Sequence, residues 1–427
     1  MASRQKAMVN KINSWVANFT FRRISIFSLF LLYLISSLWE LRFHIGSSWL
    51  PIGQLAILTL IFMFSIHENK FHLYKTKDDL LVWFFIFYIL LNVSVQSIFF
   101  NDYIVQMWLS GLASVTVLLT YFISRSVDTR NRQRIVILVL YLGASIYIVD
   151  IFLNYIYEYL NEGHPFVGRI IGQRIPVVLN LFFLLGLLYK SKNGFLLFYV
   201  RLISVIALLL MVISLTRSVY IALTLDFLIL IFFYKGKRLI VWSLILLILV
   251  LIVNTYLNIF DQVGNRFSFM IDSIISPNID HSASYRISIW GFIYEYIVSD
   301  LKNLFFGSGQ LGVAYIQGKI LVLGNEYVPM SAESQYFDVL LRGGVVGLFV
   351  FLYIFFRSIK LSWQLTKLEI QDRWIYVAIF IWLFTMIPYN LFSESLRHRE
   401  IGVLFYVVFG FLVSQSSYLK KRKNADE

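Results

Sequence analysis

The sequence predicts an all-α polytopic membrane protein with about twelve transmembrane helices and a large loop containing amphipathic helices on one side. Three observations carry that expectation. Of its 427 residues, 59% are hydrophobic and only 14% charged, with a mean hydropathy of +0.74, far from the composition of a soluble domain. Apolar runs near the ~20 residues that a bilayer helix needs recur along the whole length. The short polar stretches between them hold most of the 37 lysines and arginines.

Taken in order, the first two spans are expected at Ile24–Leu41, after the basic N-terminal segment, and at Trp49–Ile66. Leu80–Phe100 and Tyr103–Ser124 follow the basic stretch 67–79, and RSVDTRNRQR (Arg125–Arg134) separates them from Ile135–Tyr155. Ile175–Tyr189 and Phe198–Leu215 flank the basic stretch 190–201, while Val219–Phe233 and Leu239–Tyr256 flank YKGKR (Tyr234–Arg238). The last three are Tyr336–Phe356, Trp374–Leu391 and Ile401–Tyr418, with basic residues at 357–373 and in the tail KKRK (Lys420–Lys423). Cytoplasmic loops keep the excess of positive charge, so the basic connections belong inside and both termini are expected in the cytoplasm. No small-residue cleavage site follows Leu41, so the first run is expected to stay as a helix.

The whole chain, 1–427, then reads as one transmembrane domain. Two long connections fall outside, 158–176 and 257–335. The net charge of +13 is spread over loop ends rather than one face, which makes it a topology signal and speaks against nucleic acid as a partner. The absence of cysteine excludes disulfides, thiolate metal sites and a cysteine nucleophile. The six histidines are scattered without metal-ligand spacing, so no zinc site is expected; no cofactor is expected either.

Polar chemistry gathers on the two outer connections. The first, EYLNEGHPFVGRIIGQRIP (Glu158–Pro176), carries Arg169 and Arg174. In the second, Trp290, Ile293, Tyr294, Ile297, Val298 and Leu301 recur at helical spacing within Ser282–Asn303, with Ser284 as the expected N-cap. That pattern predicts an amphipathic helix on the outer membrane surface or over a cavity. FFGSGQLG (Phe305–Gly312) follows, with glycines suited to a tight turn. In SLTRSVYIAL (Ser214–Leu223), Arg217 occupies a connection so short that its charge must lie between two helix ends. There it either snorkels, pairs with Asp150 or meets an anion. Together Arg169, Arg174, Arg217 and Arg286 would make a site for a phosphate-rich anion, because the planar guanidinium binds phosphate oxygens in pairs. In SAESQYFDVLLRGGVVGLF (Ser331–Phe349), Asp338 and Arg342 stand four apart and can pair, and Gly343–Gly344 marks an expected break between an outer half-helix and the span proper.

Four segments, GRIIGQRIPVVLN (Gly168–Asn180), SLTRSVYIAL, YRISIWGFIYEYIVSDLKNLFFGSG (Tyr285–Gly309) and AESQYFDVLLRGGVVG (Ala332–Gly347), resemble the O-antigen polymerase and ligase superfamily, most closely the Wzy-type polymerases. The resemblance covers roughly Gly168 to Phe356. It implies a GT-C-like glycosyltransferase of the bacterial inner membrane, working at its periplasmic face without metal or nucleotide sugar. Its substrates would be oligosaccharides linked to undecaprenyl pyrophosphate within membrane lipid, with a chain-length co-polymerase and a flippase as partners. Arg217 matches the arginine of the family's S-x-[ST]-R motif, Arg169 that of the loop after the fifth span, and Arg286 that of R-x3-W; all are expected to hold pyrophosphate, with Arg174 beside them. Glu333 stands in an E-S-x-[YF] pattern where ligases have a histidine, and is expected to act as the base, supported by Tyr336 and Arg342. Two alternatives remain, a ligase that moves glycan to a lipid A core and a polysaccharide or lipid transporter. The long outer loop and the lack of paired breaks near mid-span speak against the transporter.

Overall fold

The computed structural model describes residues 28–35, 43–45, 48–50, 61, 76–99, 103–126, 133–162, 175–191, 193–213, 217–233, 281–310, 313, 320–322, 325–328, 331–368, 372–394, 396 and 399–426. Within them lie α1 (Lys77–Phe99), α2 (Ile104–Ser126), α3 (Gln133–Glu162), α4 (Ile175–Leu188), α5 (Gly194–Ile213) and α6 (Arg217–Phe233). After these come α7 (His281–Val298), α8 (Leu301–Phe306), α9 (Gln335–Thr366), α10 (Arg373–Leu391) and α11 (Arg399–Asp426). Two hairpins add β1 (Phe43–Ile45) with β2 (Ser48–Leu50), and β3 (Ile320–Val322) with β4 (Asn325–Tyr327), both antiparallel. Seven of the described helices are long and apolar enough to cross a membrane, and two shorter apolar ones, Pro176–Leu188 and Ser218–Phe233, accompany them. The protein is an all-α polytopic membrane protein.

Nine of the expected spans coincide with described helices, and residues 28–35 of the first are helical. Leu239–Tyr256 lies outside the described residues, as does most of Trp49–Ile66. Several boundaries differ from expectation. Trp49 and Leu50 belong to β2 rather than to the start of a span. The tenth span continues past Phe356 to Thr366, because Arg357 finds a carboxylate and Ser358 and Ser362 return their hydroxyls to carbonyls of their own helix. The helix expected over Ser282–Asn303 divides into α7 and α8. Ser284 is therefore inside the first turn of α7, and the cap of the second piece is Asp300, whose side chain accepts from the Lys302 N–H.

Local chemistry explains where α1 begins. Thr76 and Asp79 form a capping box: the Asp79 carboxylate accepts from the Thr76 N–H at 2.8 Å, and the Thr76 hydroxyl accepts from the Asp79 N–H at 3.3 Å. The other oxygen of Asp79 accepts from Tyr121 at 2.8 Å and from Arg125, both on α2. Arg357 of α9 forks onto Asp78 at 2.8 and 3.1 Å. Three helices are thus tied at one end of the bundle by paired charges at the edge of an apolar layer.

Packing inside the layer depends on close contact, since lipid gives helices no hydrophobic reason to associate. α11 lies along α2, α4 along α5, and α10 is embraced by α4, α6 and α9. At Gly410 the chain of α11 runs so close to the Tyr121 carbonyl of α2 that a Cβ would strike backbone. Aromatic rings fill the wider gaps, Phe355 against Phe405 and Trp363 against Phe380 among them.

Candidate active site

The end of the bundle away from Asp78 and Asp79 is where α9 breaks. Gly344 has φ 58° and ψ −164°, a conformation open in practice only to glycine, and it splits α9 into an outer half-helix and a membrane span. A break leaves the last carbonyls of the outer half without partners, which the interior of a membrane protein does not tolerate. Each is capped. The Leu341 carbonyl accepts from the backbone N–H and hydroxyl of Ser308 at 2.6 and 3.2 Å. That of Arg342 accepts from Asn92 at 3.2 Å, and that of Gly343 from Tyr88 at 2.5 Å.

The same side chains serve the end of α8. Tyr88 reaches the Phe305 carbonyl at 2.7 Å, Asn92 that of Phe306 at 2.7 Å and Gln96 that of Gly307 at 2.7 Å. Tyr88, Asn92 and Gln96 recur every four residues, so one stripe of α1 holds two broken helix ends together. Arg342 closes the assembly, pairing with Asp338 at 2.8 Å and donating to the Gln310 carbonyl, while the Gln310 side chain accepts from Ser114 of α2. Asp79 and Gln96 are about 25 Å apart along α1 at helical rise, close to the thickness of a bilayer core. The capped break and the charged tie of α1, α2 and α9 therefore occupy opposite ends of the spans.

Glu333 sits just before the outer half-helix. It is the one non-glycine residue with positive φ among those described, at 53°. For a glutamate this left-handed backbone costs roughly 1–2 kcal/mol and persists only where neighbours enforce it. Those neighbours come from the end of α10. Glu394, buried, accepts with one oxygen from the N–H of Ala332 and, at 3.1 Å, from that of Glu333. The Gln335 N–H donates to the Ser393 carbonyl at 3.1 Å, and the Ser334 hydroxyl to that of Asn390 at 3.3 Å. Trp290 of α7 donates to the Ala332 carbonyl at 3.0 Å and stacks on Phe337. Ser331 completes the loop, accepting from the Glu333 N–H at 3.2 Å and donating to the Glu333 carboxylate at 3.0 Å.

Arg286, one turn before Trp290, lies opposite. Its guanidinium is 3.7 Å from the Glu333 carboxylate, with side chains 21% and 26% exposed. A long, partly hydrated pair of this kind is worth at most about 1 kcal/mol, so a better anion can displace Glu333 from it. The Arg286 Nε–H is buried and has no acceptor among the described residues. That is an unfilled donor on a planar fork suited to phosphate oxygens.

Of the residues expected from sequence, the fold brings Arg286 and Glu333 together, while Tyr336 and Arg342 lie along the half-helix that follows Glu333, Arg342 being engaged with Asp338 and the Gln310 carbonyl. Tyr336 donates to the Ile387 carbonyl at 2.9 Å and so joins α9 to α10. Arg217 is the first residue of α6, followed by Ser218, whose hydroxyl meets Tyr389 near the Ser393 end of α10. This puts the Arg217 backbone at the same end of the bundle as Glu333. The Arg217 side chain, and Arg169 and Arg174 entirely, lie outside the described residues. No group of carboxylates and histidines able to hold a metal occurs among the described residues.

Glu394 and the Tyr88–Asn92–Gln96 stripe were not anticipated from sequence. The stripe had a legible signal, polar side chains four apart in an otherwise apolar run. Glu394 had none, being an acid in a short polar connection like many others.

Residues 202–352 match the family model Wzy_C, described as O-antigen ligase. The matched segment reaches from α5 to the span half of α9 and includes Arg217, Arg286 and Glu333. By this match the segment is similar to the O-antigen polymerase and ligase superfamily, an enzyme family acting on lipid-linked glycans. No curated protein matches the chain.

Proposed function

We propose that this membrane protein polymerises oligosaccharide repeat units carried on undecaprenyl pyrophosphate, at the periplasmic face of the inner membrane. The observation that carries the reading is the Arg286–Glu333 pair: a guanidinium whose buried Nε–H has no acceptor among the described residues, against a partly exposed carboxylate, at the mouth of the spans. In the proposed reaction a sugar hydroxyl of the acceptor attacks the anomeric carbon of the donor glycan. The bond from that carbon to the pyrophosphate oxygen breaks, and its electrons leave with the pyrophosphate. Glu333 takes the hydroxyl proton, and Arg286, with Arg217, Arg169 and Arg174, offsets the charge that develops on the leaving group. Binding of the pyrophosphate to Arg286 would free Glu333 from its weak pairing at the moment a base is required. Glu394 commits one oxygen to two backbone N–H groups, and with Glu333 as the one base a single displacement with inversion is the simplest course.

The ligase reading is kept because the matched model is described by that activity. Glu333 favours the polymerase, since ligases resemble one another in having histidine at that place. The test is incubation of the purified protein with a panel of polyprenyl-pyrophosphate oligosaccharides, with and without a lipid A core acceptor. A ladder of products on the polyprenyl carrier supports the polymerase; transfer to the core alone supports the ligase. Glu333→Gln is expected to lower single-turnover transfer by roughly 10²–10⁴-fold while donor binding survives. Near-normal transfer would remove Glu333 from the chemistry.

A further inference from the structure

We infer that Glu394 is a positioning residue for Glu333: it fixes the left-handed backbone that aims the Glu333 carboxylate at Arg286. This rests on the reading of Glu333 as the base. Two successive N–H groups, of Ala332 and Glu333, converge on a single Glu394 oxygen. Such convergence is what turns a chain through a left-handed residue into a fixed corner, because both donors must point the same way to be satisfied. Glu394 is 7% exposed, so the bonds are not shared with bulk water. Without that acceptor, the φ of 53° at Glu333 would lose its strongest anchor and the residue would relax toward the extended region preferred by a glutamate.

The remaining restraints show why Glu394 decides the direction of Glu333 and not merely the location of the loop. Ser334 and Gln335 bind carbonyls of α10, and Trp290 binds the Ala332 carbonyl. These hold the start of α9 in place on both sides. Among the described residues only Glu394 and Ser331 accept from the Glu333 N–H, and Ser331 belongs to the same loop and would move with it. Loss of Glu394 should therefore leave the helices docked and the arginine in place while the carboxylate swings. A small error of aim is enough to cost a base much of its effect, since proton transfer needs the two heavy atoms within hydrogen-bond reach.

The experiment compares full-length Glu394→Ala, Glu394→Asp and Glu394→Gln with Glu333→Gln and with Glu333→Gln combined with Glu394→Ala, in single-turnover transfer from a polyprenyl-pyrophosphate oligosaccharide. Donor binding is measured separately. Aspartate is one methylene too short to reach both N–H groups, so alanine and aspartate should lose more than tenfold in rate with donor affinity unchanged. Glutamine keeps an acceptor oxygen at the same reach and should retain clearly more activity than either. The double variant should be no slower than Glu333→Gln alone, because a residue acting through Glu333 has nothing left to position. If alanine does not accumulate in the membrane, aspartate and glutamine carry the same comparison. Near-normal rates in alanine and aspartate, a loss that follows donor affinity, or additive losses in the double variant would overturn the inference. Near-normal transfer by Glu333→Gln would instead overturn the assignment of the base, and the two failures are distinguishable.

Discussion

Replacing Asn92 by leucine tests whether one stripe of α1 holds the broken helices together. Asn92 is 1% exposed and donates to the Phe306 carbonyl at 2.7 Å and the Arg342 carbonyl at 3.2 Å. Leucine has similar bulk and better hydrophobicity, so by composition alone it should improve a membrane span. Removing the amide, however, leaves two helix-terminal carbonyls buried without a donor, at about 1–3 kcal/mol each. Hydrogen bonds between membrane helices average only about 0.6 kcal/mol in double-mutant cycles, which pulls the estimate toward the lower end. A loss of about 2–4 kcal/mol is therefore expected. Ser94→Leu is the control, since Ser94 is exposed and its hydroxyl bonds only to its own helix at Leu90; it should change stability by less than about 0.5 kcal/mol. Reversible unfolding in mixed micelles, followed by tryptophan fluorescence, measures both. Equal stability of the two leucine variants would refute the claim that the stripe caps the break.

Other consequences can be checked in the same preparations. Gly344→Ala should cost roughly 3 kcal/mol or more, because its φ of 58° with ψ −164° is closed to alanine and its Cβ would meet the Phe305 backbone, whereas Gly343→Ala meets only Tyr88 at 3.7 Å and should be tolerated; membrane accumulation of the adjacent pair compares them. Arg286→Lys keeps the charge but not the fork, so donor affinity should fall nearly as far as in Arg286→Ala, as read by binding of the lipid-linked donor. Arg217→Ala should abolish polymer while the protein stays in the membrane, and substantial polymer would mean that Arg217 only snorkels. A reporter fused near Asn278 should be active only in its periplasmic form, and a cytoplasmic result would invert the orientation read from the basic loops.

The sequence by itself determined the class of fold and most of the spans, and it named the two residues on which the proposed site is built. Composition and the spacing of apolar runs reach that far because the bilayer demands about the same length of apolar helix wherever it is crossed. The pairing of Asp338 with Arg342 and the break at Gly343–Gly344 were legible too, for both are set within a few residues of chain. Arg286 and Glu333 could be named from motifs, yet nothing in their spacing says that they touch. What only the tertiary structure decided is how the break is stabilised and how the acid is aimed. Tyr88, Asn92 and Gln96 serve carbonyls more than two hundred residues away, and Glu394 reaches back across α9 and α10 to Ala332 and Glu333. A polar side chain in an apolar span advertises that it needs a partner, but not which one. The partner is chosen by helix packing, which brings unsatisfied backbone groups from distant segments to the same depth in the membrane.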